Sequence, residues 1–340
     1  MVNSAMVTSA GKPRALVLAP FSRVSLERLK DVAEVTYESW LDTRAIQDPE
    51  ALGRRLADEN ASLLIIESDF VFEETLHLAP CLRFIGLCRG SLHHHIDIEA
   101  ATRAGVLVVN TPGRNAQAVA EHAMALMFAL ARRVPQSDRY VKGGEWRDPA
   151  GAYASLRGVE LAGATLGIIG LGAIGKRLAT MALAIGMRTV AHDPYVKDAP
   201  GNVELLSLDE VLKRADFISI HVPGTPPTEG LIDDRRLALM KPTAYLVNLS
   251  DAGVVSLWGL VEALRGNRIA GAAMDVFETH PIAPDSPLLS LDNVVLTPHI
   301  GGATGETIER HSEMVVSDIV RFLAGKRPVN LVNPEVWKRL

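Results

Sequence analysis

Leu166-Gly167-Ile168-Ile169-Gly170-Leu171-Gly172-Ala173-Ile174-Gly175 sets G-x-G-x-x-G directly behind an apolar run that begins at Thr165. An apolar helical pattern, Lys176–Ile185, follows. In that strand–turn–helix setting the glycines read as a dinucleotide loop. Gly170 permits the tight turn, Gly172 lets the backbone approach a pyrophosphate, and Gly175 lets helix and strand pack closely. The phosphates are then expected on the helix N-terminus, at Ala173 and Ile174, where free N–H groups and the helix dipole favour anions. Asp193 closes the next strand candidate, 18 residues beyond Gly175. It can accept both ribose hydroxyls and would repel a 2′-phosphate, so NAD is expected over NADP.

Outward from this loop, the strand candidates are Thr165–Gly170, Arg188–His192, Asp216–His221, Thr243–Leu249, Ile269–Met274 and Val294–Thr297. Helical patterns separate them, which predicts an α/β fold with six parallel strands in a doubly wound sheet. Upstream, Ala15–Ala19, Ser62–Ile66, Arg83–Cys88 and Val106–Val109 form another α/β series, with helices around Ser25–Val32 and Pro49–Glu59. Asn110-Thr111-Pro112-Gly113 breaks that pattern. A helix apolar nearly all round, Asn115–Arg133, is expected to be buried and to end before Pro135. The weakly periodic segment 136–163 carries Tyr140, Trp146 and Tyr153 and reads as a covered loop or a subunit-contact arm. The last helix, Ala303–Ala324, shows the stripe Ile308, Ser312, Val315, Ile319, Phe322, with Gly325 as a C-cap and Pro328 as a stop.

The chain has 340 residues, 48% hydrophobic and 22% charged, enough for two packed domains. A net charge of −5 without a basic run argues against nucleic acid. Two cysteines, Cys81 and Cys88, make no disulfide framework, so a reducing cytoplasm is expected. Met1–Pro13 lacks the apolar stretch of a signal peptide. Ala116–Ala131 contains Glu121 and His122 and is too short and polar to cross a bilayer, so no membrane partner is expected.

From about Leu82 to Pro328 the chain resembles the D-2-hydroxyacid dehydrogenases, the family of phosphoglycerate dehydrogenase and glyoxylate reductase. The resemblance rests on Asn110-Thr111-Pro112-Gly113 with Val119–Ala123, the glycine loop, His221-Val222-Pro223 with Thr228, Asp275-Val276-Phe277, and Leu296-Thr297-Pro298-His299-Ile300-Gly301-Gly302. It implies a Rossmann NAD domain (113–302) inserted into a flavodoxin-like substrate domain (1–112 and 303–340). It also implies an active site in the cleft and a homodimer; the all-round apolar helix Asn115–Arg133 and the aromatic arm Gln136–Gly163 need covering, so the dimer is expected to be built on them. It implies roles as well. His299 is the acid/base, Asp275 orients the nicotinamide amide, and the loop after Leu87 holds the substrate carboxylate through backbone N–H groups. Asn248, Leu249, Ser250 and Gly301 join the cofactor-contacting set with His221, Pro223 and Thr228.

Two positions depart from the family pattern. Asn248-Leu249-Ser250-Asp251-Ala252-Gly253 places Asp251 where an arginine would grip a 2-oxo acid. After Asp275-Val276-Phe277, His280 stands where a glutamate would raise the pKa of the histidine. An arginine clamps a carboxylate through a planar fork; an aspartate repels it. Arg89, in the loop expected to face substrate, is the candidate replacement cation, beside the plain reading of a surface arginine. The run His93-His94-His95 invites a metal, but adjacent residues do not point at one centre, so none is expected. Cys88 reads as buried and inert.

The leading expectation is an NAD-dependent oxidoreductase for an unusual small-molecule substrate, with its catalytic set drawn from His299, His280, Asp251 and Arg89. Two alternatives use the same residues: an enzyme with tightly bound NAD and no net redox change, and a non-catalytic NAD-responsive binding protein.

Overall fold

The computed structural model describes residues 11–91 and 95–339. The chain divides into two compact units. One comprises the segment up to Arg114 and the segment from Thr304 on; the other is Asn115–Ala303, inserted between them in sequence.

The first unit contains β1 (Arg14–Val17), β2 (Glu34–Tyr37), β3 (Ala61–Ile66), β4 (Phe84–Leu87) and β5 (Leu107–Val109). All pair in parallel, in the order β2-β1-β3-β4-β5, a flavodoxin-like arrangement. The strands are short apolar runs because helices cover both faces. Leu63, Ile65 and Phe84 pack on one side with Val315, Ile319 and Phe322 of the helix Gly305–Leu323; Leu64, Ile66 and Ile85 pack on the other with Leu52 and Leu56. That last helix ends as its stripe and Gly325 predict. Gly325 takes φ 66°, its N–H donates to Phe322 O at 3.0 Å, and Lys326 N–H donates to Arg321 O at 2.8 Å, a Schellman ending.

The inserted unit contains β6 (Thr165–Ile169), β7 (Arg188–His192), β8 (Val203–Leu205), β9 (Phe217–Ile220), β10 (Tyr245–Asn248), β11 (Gly271–Met274) and β12 (Val294–Leu296). Their order is β12-β11-β10-β9-β6-β7-β8, all parallel. The strand order reverses between β6 and β9, the place where open α/β sheets bind ligands.

Four expectations are corrected. The first sheet has five strands rather than the four candidates, because β2 is an edge strand with no fully buried residue. The inserted sheet has seven strands rather than six, because β8 is a three-residue edge strand with only Val203 buried. The long apolar helix stops at Ala131, and Pro135 sits in the first turn of a new helix, Val134–Lys142, where its missing N–H costs nothing. The segment 136–163 is also less irregular than its pattern suggests, since a further helix, Pro149–Ser155, is capped by Asp148. No described helix is long and apolar enough to cross a membrane.

Candidate active site

Adjacent strands β10, β11 and β12 end in register, Asn248 opposite Met274 and Met274 opposite Leu296. The residues that follow β11 and β12, Asp275 and Thr297, therefore stand side by side. Asp275 N–H donates to Asn248 O at 3.0 Å and Thr297 N–H to Met274 O at 3.0 Å. Asp275 is 2% exposed. Its Oδ1 accepts from Thr297 Oγ1 at 2.6 Å and Ile300 N at 2.9 Å, and its Oδ2 accepts from Gly301 N at 2.8 Å. Burial pushes this carboxyl up. The neighbouring His122 ring and these donors more than offset it and hold Asp275 below the usual carboxylate range.

The same bonds shape a turn whose apex is His299, at φ 56° in the left-handed region. Histidine is among the non-glycine residues that tolerate this region best, and the carboxylate keeps the turn there. Thr297 gives its single proton to Asp275, so it accepts from His122 Nε2 at 3.1 Å. His122 Nε2 lies farther from Asp275 Oδ1, at 3.7 Å. The sequence motifs contain His122 and Thr297 but assign neither a role. The available signal is position, since Asp275 and Thr297 are the first polar residues after two apolar strands.

His299 Nδ1 lies 3.0 Å from Nε2 of His280, with ring centroids 4.9 Å apart. Both residues are exposed. One ring donates and the other accepts, so the proton sits between them on one nitrogen or the other.

Asn248, fully buried at the end of β10, builds the next turn. Its Oδ1 accepts from Ser250 N and Ser250 Oγ, each at 3.0 Å, and its Nδ2 donates to Asp251 O at 2.8 Å. Leu249 packs into the core between them. Asp251 has a local function: its Oδ1 accepts from Gly253 N at 2.9 Å. Its carboxylate rests on Gly224, where a Cβ would come within 2.3 Å of Oδ2.

At the switch point, Gly170 takes φ 95°, and a Cβ there would lie 2.6 Å from His221 O. A Cβ at Gly175 would lie 2.2 Å from Gly170 O, so neither glycine is replaceable. Gly172 caps the helix Ala173–Ala184, and a Cβ there would meet nothing within 4 Å. Asp193 follows β7 and reaches the loop: Oδ2 accepts from Leu171 N at 2.8 Å and Oδ1 from Tyr195 N at 2.9 Å. His221 Nε2 pairs with Ser219 Oγ at 2.8 Å, while its buried Nδ1 has no partner among the described residues. Burial pulls this imidazole down to about 4, so it is neutral at pH 7. Thr228 Oγ1 donates to Pro223 O at 2.5 Å and closes the turn after β9.

These features fit a dinucleotide. There is open space over Gly172, the first N–H groups of Ala173 and Ile174 point out of the helix end, and Asp193 keeps two lone pairs beyond those in use.

In the other unit, Arg89 follows β4 by two residues, and its Nε donates to Glu67 O at 2.6 Å. Cys88 is fully buried, and burial together with Glu67 pushes its thiol far up, as an inert core residue requires. His93 and His94 lie outside the described residues. His95 stacks on Phe70 at 5.1 Å between centroids. Among the described residues no three metal-ligating side chains converge.

The inserted unit is thus a nucleotide-binding Rossmann domain with a histidine pair beyond the ends of its strands. Residues 124–301 match the family model of the D-isomer specific 2-hydroxyacid dehydrogenase NAD-binding domain. The chain is 38% identical to the glyoxylate reductase of Korarchaeum cryptofilum over 96% of its own length and 98% of the relative's. It superposes on the TT0316 protein of Thermus thermophilus with a TM-score of 0.84 at 38% identity, covering 94% and 99% of the two chains. It superposes on D-lactate dehydrogenase from Aquifex aeolicus, complexed with NAD and lactic acid, with a TM-score of 0.77 at 29% identity, again covering 94% and 99%. The chain belongs to the D-2-hydroxyacid dehydrogenase family and carries its NAD-binding domain.

Proposed function

We propose that the chain is an NAD-dependent oxidoreductase acting on the alcohol–carbonyl pair of a small acid, with His299 as acid/base and His280 as its partner. The observation that supports this most is the 3.0 Å contact between His299 Nδ1 and His280 Nε2, on a turn anchored by Asp275. With Nδ1 engaged, Nε2 of His299 meets the substrate oxygen. It gives a proton to a carbonyl in reduction and takes the hydroxyl proton in oxidation. NAD, when bound, supplies or accepts the hydride. An imidazole partner differs from a carboxylate because it can both give and accept a hydrogen bond.

The substrate is an unusual one in this reading. A carboxylate about 4 Å from Asp251 would meet repulsion of about 4 kcal/mol at an effective dielectric near 20. Simple 2-hydroxy acids are therefore expected to turn over poorly, and a substrate offering a hydroxyl or amine to Asp251 to do better. A panel of such acids, followed by nicotinamide absorbance, tests this; brisk turnover of lactate or glycerate contradicts it. Asp251→Arg with His280→Glu should recover reduction of simple 2-oxo acids. Intact activity in His299→Ala removes the acid/base assignment.

The proposal includes preference for NAD over NADP through Asp193, and a homodimer built on the Asn115–Arg133 stretch and the segment 136–163. On that segment Trp146 and Tyr153 are 59% and 76% exposed. Sedimentation as a monomer at micromolar concentration would remove the dimer.

A further inference from the structure

The inserted unit holds a cavity of about 290 Å³ that the proposed chemistry does not use. Its walls come from the helix Leu257–Arg265, the end of β11 and the irregular chain between β11 and β12. The floor is apolar core: Val255, Leu260, Met274, Val276 and Leu288 line it, none more than 4% exposed. Leu257 and Ile282, half-buried, continue the apolar wall toward solvent. Ala283 and Ser286, two small side chains on the same wall, leave the space open.

The mouth has a different chemistry. Glu278 and Asp285 line it, both exposed, and neither side chain has a hydrogen bond or ion pair among the described residues. No lysine or arginine among the described residues lines the cavity. Trp258, the second residue of its helix, also lines it and is 69% exposed. Carboxylates without counter-cations draw cations to the mouth. An indole face adds attraction for a cation held over it. Such a place selects an amphiphile of one kind, with an apolar body and a cationic head.

We propose that this cavity binds a small aryl-alkylamine, with the ring on the apolar floor and the ammonium at Glu278 and Asp285 beside Trp258. An apolar cavity of about 150 Å³ holds a benzene, so about twice that volume takes a phenyl ring with a chain of two or three carbons. Burial of the ring supplies the affinity, and the carboxylates supply the choice among ligands. None of the residues placed in the nucleotide site or the histidine pair lines the cavity, so this site is additional to the proposed active site.

Calorimetry on the full chain without nucleotide tests this, with 2-phenylethylamine as the probe. 2-Phenylethanol and 3-phenylpropanoate keep the ring and change the head; butylamine keeps the head and loses the ring. The amine should bind saturably, at least about tenfold more tightly than the alcohol or butylamine, and phenylpropanoate more weakly still. Emission of Trp258, assigned by its loss in Trp258→Phe, should change with the same affinity. Glu278→Gln with Asp285→Asn should reduce the preference for amine over alcohol to about threefold or less, with the affinity for the alcohol retained. Ala283→Leu, which fills the cavity, should weaken both by about tenfold or more. The two carboxylates are exposed, so their double variant keeps the fold even where a filled cavity does not. An unchanged preference in that variant overturns the proposal, as does equal binding of amine and phenylpropanoate. Asp251 is a second place where an amine finds a carboxylate, so Asp251→Asn is the control. Native amine affinity there supports the cavity; a loss assigns the amine to the proposed active site and overturns the inference. No turnover enters the test, so its outcome is separate from that of the proposed function.

Discussion

Asp275 and Glu67 hold comparable places in the two units, each the first residue beyond an apolar parallel strand, and the molecule uses them differently. Asp275 accepts from two backbone N–H groups and a hydroxyl, with the His122 ring beside them. It fixes a backbone turn and leaves His299 exposed at the apex. Glu67 faces a guanidinium and an indole, and its carbonyl faces a second guanidinium. It fixes a charge and leaves another unmatched. A strand-end carboxylate organises whatever donors the neighbouring loops bring to it, and those donors decide whether it fixes a backbone turn or a charge.

The largest expected effect of breaking this contrast is at Glu67. Glu67→Gln removes the counter-charge of a guanidinium that is 11% exposed, which should cost about 3–5 kcal/mol of stability in urea unfolding. A loss under about 1 kcal/mol would mean that this guanidinium, Arg114, finds solvent.

The next effect is a pH dependence. His311 is held near 4 in the folded chain, mainly by burial, against about 6.5 when unfolded. Below pH 6.5 the unfolded chain binds a proton that the folded chain refuses until about pH 4. The stability contributed by neutral His311 is thus complete above pH 6.5, falls through that window by about 3 kcal/mol, and changes no further below it. His221, also held near 4 by burial, acts in the same direction. Urea midpoints between pH 7 and pH 4 should fall less steeply for His311→Gln; an unchanged slope would show that His311 titrates normally.

At Asp275 the expected effect is smaller in stability and larger in activity. Asp275→Asn keeps one acceptor and turns an N–H₂ group toward a backbone N–H, so about 2 kcal/mol should be lost. The His299 turn should loosen with it, and kcat should fall about a hundredfold. Native kcat in this variant would separate the turn from catalysis.

Much of this was legible in the chain because its signals are local. The glycine loop, the apolar strand runs and the Gly325 ending each lie within a few residues of one another. The edge strands β2 and β8 were not legible. Glu34–Tyr37 has no fully buried residue and Val203–Leu205 only one, so neither shows an apolar run. The helices Val134–Lys142 and Pro149–Ser155 bury no residue fully, which hides them as well. At the candidate sites, His299, His280 and Arg89 stood out by motif or by departure from it. The roles of Asp275 as a turn anchor and of Glu67, Arg114 and His311 as a bonded cluster depend on strand register and on contacts between residues as far apart as 114 and 311. Only the fold creates such contacts.

The smallest expected effect concerns a third strand-end carboxylate, Asp193, which combines both uses. It accepts the Leu171 and Tyr195 N–H groups, as Asp275 accepts its turn, and it carries a charge facing the nucleotide loop, as Glu67 faces its arginines. Asp193→Asn and Asp193→Ala separate the two. Asn removes the negative charge while keeping one acceptor for the loop, so affinity for NADP should rise toward that for NAD with little loss of NAD binding. Ala removes the acceptor as well, so NAD affinity should also drop, by about tenfold, roughly the 1.4 kcal/mol of one hydrogen bond. If both variants keep the native ratio of NAD to NADP affinity, Asp193 is a loop anchor only, and the cofactor preference must come from another residue.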